Sequence, residues 1–177
     1  MRIEPSGAIN DVVFVHLDAH HDDRGQLIET FRHEWFRQAP PMIQATRSDS
    51  RRGVIRALHY HVRQADYWYV SGGRLFMAMH DLRRSSPTQG TTQTVEIGEG
   101  NDVAVYVPPG VAHGFQALTD ATLTYLVDHY YDPADEHGLA WDDPQAAVPW
   151  PLADPMLSDR DRANPKLADI PADRLPA

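Results

Sequence analysis

The stretch "GVIRALHYHVRQADYWYVSGG", residues 53–73, decides how the chain is read. It sets His59 and His61 two residues apart, follows them with Asp66, and closes at both ends on glycine. On a strand, residues i and i+2 share a face, so the two imidazoles project side by side. Asp66 can return to the same cavity from a neighbouring strand. Two imidazoles and one carboxylate suit a divalent metal with open coordination positions. Farther on, "DVAVYVPPGVAHGF" (102–115) offers His113 as a fourth ligand. The candidate metal set is therefore His59, His61, Asp66 and His113, and Zn, Fe, Mn or Ni are the candidate ions. The competing reading gives His59 to a metal-free acid–base site.

The flanking sequence places these residues among strands. Short strand-like runs, several with period-two alternation, recur at 11–17, 25–31, 41–47, 54–62, 66–72, 74–82, 92–98, 102–108, 113–119 and 122–131. Turn residues separate them: Gly72–Gly73, "SSPTQG" (85–90) and "PPG" (108–110). This spacing predicts an all-β sandwich or barrel. Two stretches read as helical. "RHEWFRQ" (32–38) stops at Pro40–Pro41, and "SDRDRANPKLADI" (158–170) has Ser158 as an N-cap. A single domain spanning 1–177 is expected, with a barrel core over about 10–131 and an irregular tail over about 144–177.

Bulk composition narrows the function classes. The 177 residues are 42% hydrophobic and carry a formal net charge of −9. That balance argues against a nucleic-acid binder, which needs a basic face. No run reaches the length and apolarity of a membrane span, and "MRIEPSGAIN" lacks the apolar core of a secretory signal. There are no cysteines, so thiolate and disulfide chemistry are excluded. A cytoplasmic protein is expected. The basic residues are fifteen arginines and one lysine, Lys166, and arginine forks suit phosphate.

The paired histidine motifs resemble the signature motifs of the cupin superfamily. That likeness implies a double-stranded β-helix (jelly roll), here with a short helical or irregular C-terminal tail. The segments "DDRGQLIETF", "SDSRRGVIRALHYH", "DLRRSSPTQG", "VPPGVAHGFQALTD", "YLVDHYYDPADEHGLAWDDP" and "LSDRDRANPKL" occur in one order. In that order they resemble one cupin family, the dTDP-4-dehydrorhamnose 3,5-epimerases. The resemblance implies a homodimer with no required metal. It also implies proton transfer next to the C4 ketone of a dTDP-4-keto-6-deoxyhexose, and so a nucleotide-sugar substrate. By matching position, His59 would be the base, Asp161 would hold its imidazole, and Tyr125 would protonate the intermediate from the opposite face. Arg24, Gln44, Arg56 and His113 would contact the diphosphate or sugar, with Glu29 and Tyr131 lining the same pocket.

One local change departs from the family pattern. Family members carry a lysine on the strand that follows, where it steadies the developing enolate oxygen. Asp66 stands in its place, and Lys166 is the chain's only lysine. The same change restores the cupin metal spacing. A bound cation would supply the positive charge that the lysine supplied. Two other readings are a metal-dependent cupin of another reaction class (an oxygenase, lyase or cyclase of specialised metabolism) and a non-catalytic sugar-nucleotide-binding cupin.

Overall fold

The computed structural model describes residues 1–36 and 39–177. The described residues form thirteen strands: β1 (Arg2–Pro5), β2 (Val13–His16), β3 (Ala19–Asp22), β4 (Gly25–Ile28), β5 (Gln44–Ser50), β6 (Ile55–Tyr60), β7 (Asp66–Gly72), β8 (Arg74–Asp81), β9 (Thr92–Gly98), β10 (Val103–Val107), β11 (Val111–Ala117), β12 (Ala121–Val127) and β13 (His137–Gly138). One sheet runs β1-β2-β10-β7-β12-β5 and a second runs β13-β6-β11-β8-β9, with all pairings antiparallel. Strands β3 and β4 make a separate hairpin. This is the all-β sandwich that the turn spacing predicts, in the jelly-roll form that the cupin resemblance implies. Each of the ten strand-like runs overlaps a strand; β1, β3 and β13 are short and carry no alternation to mark them.

Side-chain alternation explains why the two sheets stack. In β11, "VAHGFQA", Val111, Phe115 and Ala117 point into the core between the sheets, which also takes Trp68, Met77, Met79, Ile97, Val105 and Leu123. Ala112 points the other way, into a second cluster. There the segment after β13 covers the five-stranded sheet, and Leu139 and Ile170 seal Ile55, Leu58 and Tyr60. A third cluster lies on the outer face of the six-stranded sheet. Phe31, Trp35 and Phe36 cover Tyr67 and Val15 there. Strand β7 is thus buried on both faces, with Trp68 inward and Tyr67 outward. Among the described residues no helix is long and apolar enough to cross a membrane.

The two helical expectations shrink. Over 32–38 the structure has a single 3-10 turn, His33–Phe36, and residues 37–38 lie outside the described set. Over 158–170 an α-helix covers only Asp159–Ala163, α1, before a 3-10 turn at Leu167–Asp169. Pro165 is the reason: it has no N–H for a continuing helix and keeps the residue before it extended. Ser158 does cap α1, accepting from the Asp161 N–H at 3.1 Å.

The turn after β8 is tied together by one carboxylate. Asp81 is fully buried and accepts from Arg83 Nε and Nη2, both at 2.9 Å, from Ser86 Oγ at 2.6 Å and from Thr88 Oγ1 at 2.7 Å. Burial alone would raise its pKa, but these hydrogen bonds outweigh burial and hold it at about 2, against 3.8 unperturbed. A depressed carboxylate pKa stabilises the fold above the unfolded value and loses that contribution as pH falls through the folded value. Asp81→Asn should therefore cost about 2 kcal/mol at neutral pH. The gap to wild type should shrink to about half of that by pH 3, as read by urea unfolding at the two pH values. A gap independent of pH would show that the charge of Asp81 does not stabilise the turn.

Candidate active site

The open end of the sandwich holds a cavity of about 460 Å³, within the range of small-molecule sites. Strand β6 supplies one wall. In a regular strand Arg56 and His59, three apart, would face opposite sides. Here β6 pairs with β11 as His59↔His113 and Arg56↔Phe115, so three steps on β6 match two on β11. This bulge at Ala57–Leu58 resets the alternation. Ala57 and Leu58 both turn to the outer cluster, while Arg56 and His59 both line the cavity. Gly114 permits the close approach, since a Cβ there would sit 2.6 Å from the Arg56 carbonyl oxygen and 2.5 Å from Ala57 Cβ.

His59 and Asp161 are 102 residues apart in the chain and meet at 2.6 Å, Nε2 to Oδ1. Asp161 is buried, and α1 and its Ser158 cap hold it in place. Burial raises its pKa, but the hydrogen bond from His59 outweighs this and keeps it below the ordinary carboxylate value. An ionised Asp161 accepts the His59 Nε2–H. The lone pair then rests on Nδ1, the tautomer a proton acceptor needs.

Tyr125 belongs to β12 in the six-stranded sheet, whereas His59 belongs to the five-stranded one. Both line the cavity, from opposite walls. Burial raises the Tyr125 pKa, so the phenol keeps its proton at neutral pH.

His61, Asp66 and His113 form a separate group, with one ligand atom from each lying within 4.8 Å of the others. His59 is not part of it. That corrects the four-ligand expectation: the imidazole of His59 is committed to Asp161, while the other three converge from the end of β6, from β7 and from β11. Asp66 Oδ2 is 3.5 Å from His113 Nε2, and both groups are buried. Burial opposes both charges, yet their mutual attraction prevails, so the Asp66 pKa is lowered and that of His113 raised. For His61 burial prevails and favours the neutral imidazole.

Gln44, Arg56, His113 and Tyr131 line the cavity, as the sequence suggested. Arg24 and Glu29 do not. Arg24 sits at the tip of the β3–β4 hairpin, 89% exposed and ion-paired with Asp22, and Glu29 pairs with Arg32. The packing of Ile28 and Phe31 on the outer face of the six-stranded sheet holds this segment away from the chain's own cavity. Arg160 and Glu136, paired at 2.5 Å, line the cavity and were not singled out from the sequence. The signal for Arg160 was its place beside Asp161 in "LSDRD".

This cavity, with its histidine–aspartate pair, is built from the segments that carried the family resemblance. A sequence profile described as dTDP-4-dehydrorhamnose 3,5-epimerase matches residues 6–169. The chain belongs to that family. A dTDP-4-dehydrorhamnose 3,5-epimerase from Pseudomonas aeruginosa is 36% identical over 170 residues, spanning 92% of this chain and 94% of that one. A dTDP-4-dehydrorhamnose 3-epimerase from Streptomyces niveus is 37% identical over 170 residues, spanning 92% and 82%. Among solved structures, a dTDP-6-deoxy-D-glucose-3,5-epimerase from Legionella pneumophila in complex with dTDP-4-keto-L-rhamnose superposes with a TM-score of 0.92. It is 31% identical and covers 99% of this chain and 97% of that one. The cupin jelly roll and the isomerase class of this family member follow from these likenesses. They leave the roles of individual side chains to be argued from the cavity.

Proposed function

We propose that the chain is an epimerase acting on the carbons beside the C4 ketone of a dTDP-linked 4-keto-6-deoxyhexose. The observation that carries this reading is the 2.6 Å His59–Asp161 pair facing Tyr125 across one cavity. A C–H next to a ketone is a weak acid, so its removal needs a neutral base held in one tautomer. His59, oriented by Asp161, is that base. Inversion needs a proton delivered to the other face of the planar enolate, and Tyr125, on the opposite wall with its proton retained, is that acid. Arg56 and Arg160 are, among the described residues, the arginines on the cavity wall, and they suit the diphosphate. Gln44, His113 and Tyr131 position the sugar and base.

The working unit is a homodimer in the cytoplasm. The β3–β4 hairpin carries Leu27, 74% exposed, together with the exposed Arg24. Among the described residues strand β1 is an unpaired edge of the six-stranded sheet. Both features suit a second copy of the chain, whose cavity Arg24 and Glu29 would then approach.

Incubation with dTDP-4-keto-6-deoxy-D-glucose, followed by proton NMR, tests the reading. A product with altered coupling constants at C3, at C5 or at both is expected. Unchanged substrate, with dTDP still raising the melting temperature, would sink the catalytic assignment and leave a binding protein.

A further inference from the structure

His61 and Asp66 take no part in the proton transfer, yet hydrogen bonds fix both side chains on the cavity wall. His61 Nδ1 donates to the Asp135 carbonyl and His113 Nδ1 to the Val111 carbonyl, each at 2.9 Å. In each ring Nε2 is then the nitrogen turned toward the trio, that of His113 lying 3.5 Å from Asp66 Oδ2. Backbone carbonyls on the far nitrogen are how metal-ligating histidines are commonly oriented. Gln64 Nε2 at 2.8 Å and Trp68 Nε1 at 3.1 Å hold the Asp66 carboxylate. Trp68 also packs edge-on against His113, with ring centroids 5.1 Å apart. The donors come from both sheets, so the packing of the sandwich sets their spacing.

We propose that His61, Asp66 and His113 bind one divalent transition-metal cation whose remaining coordination positions open into the cavity. Two imidazoles and one carboxylate suit Zn, Fe, Mn or Ni. Binding stands on these three residues alone, but the role of the ion rests on the epimerase reading above. Lys166 is tied to Asp142 and does not line the cavity, so no lysine faces the developing enolate oxygen. A carboxylate in that position would repel the oxygen. A cation bound to the carboxylate reverses the sign: it accepts a lone pair of the C4 ketone and holds the enolate oxygen while His59 carries the proton. Because His59 pairs with Asp161 and lies outside the trio, ligation and proton abstraction do not compete for one imidazole.

The test uses the full chain, stripped with EDTA and titrated with Zn²⁺ by calorimetry and with Co²⁺ by visible absorption. One tight equivalent per chain is expected. His61→Gln should weaken it by at least about 100-fold. Asp66→Asn should do the same, and the partly exposed His61 keeps the test usable if the buried Asp66 variant misfolds. His59→Asn should bind as wild type does. No stoichiometric binding would overturn the site, as would equal affinity in wild type and His61→Gln, which would place the ion on exposed histidines such as His20 and His21. Loss of the site with sugar epimerisation intact in EDTA overturns this inference alone. A tight site in a chain that epimerises nothing overturns the function assigned to the cavity.

Discussion

His59→Asn should lower epimerisation by about 10³-fold while leaving dTDP binding within a few-fold of wild type. Asparagine fills much of the imidazole's space and can still donate to Asp161, so the cavity keeps its shape. What disappears is the basic nitrogen. The 2.6 Å contact to Asp161 fixes which nitrogen that is. General base catalysis of this kind is worth 10² to 10⁴, and the more acidic the C–H, the smaller the loss. Calorimetric titration with dTDP, alongside turnover of a 4-keto-6-deoxy sugar nucleotide, separates the two quantities. A parallel loss of binding would make His59 a substrate contact rather than the base.

Tyr125→Phe should split the reaction in two. Base removal from one face is the task of His59 and does not need the phenol. In deuterated water the variant should still exchange the carbon-bound proton, at a rate within about tenfold of wild type, because the protonated His59 can return a solvent deuteron to the face it took the proton from. The inverted product should fall by about 10²-fold, since no acid then serves the far face. NMR of the recovered sugar reads both results at once. Equal losses of exchange and inversion would mean that Tyr125 assists proton removal itself. Full inversion would mean that water or another side chain supplies the far-face proton. The substitution removes only an oxygen from a ring packed beside Trp68 and the inter-sheet core, so the fold should tolerate it.

The legibility of this site in the sequence varied with the physics behind each residue. Strands announced themselves because burial on one or both faces of a sheet imposes period two, as in "DYWYVSG" and "TQTVEIG", whose bounds match β7 and β9. The partnership of Arg56 with His59 was hidden from periodicity. A strand of regular pleat would have split them, and only the bulge opposite His113–Phe115 unites them. The His59–Asp161 contact spans 102 residues and rests on the placement of a short helix, which no local pattern encodes. Family likeness was the source of that expectation. The alternation of His59 with His61 suggested a shared ligand set, but α1 brings Asp161 to His59, while His61 turns toward Asp66 on the other sheet. Arg24 and Glu29 were assigned by position alone. In the folded chain Arg24, at the hairpin tip, and Glu29, just after the hairpin, lie outside the cavity and pair with Asp22 and Arg32.

The reading of the cavity stands or falls on proton transfer beside a ketone. Deuterium wash-in measures it directly: wild-type protein is incubated with dTDP-4-keto-6-deoxy-D-glucose in deuterated water, and the sugar is recovered for NMR and mass spectrometry. Deuterium at C3, at C5 or at both, absent from a parallel incubation with His59→Asn, is the predicted result. Tight binding of the sugar nucleotide with no deuterium at either carbon would contradict it.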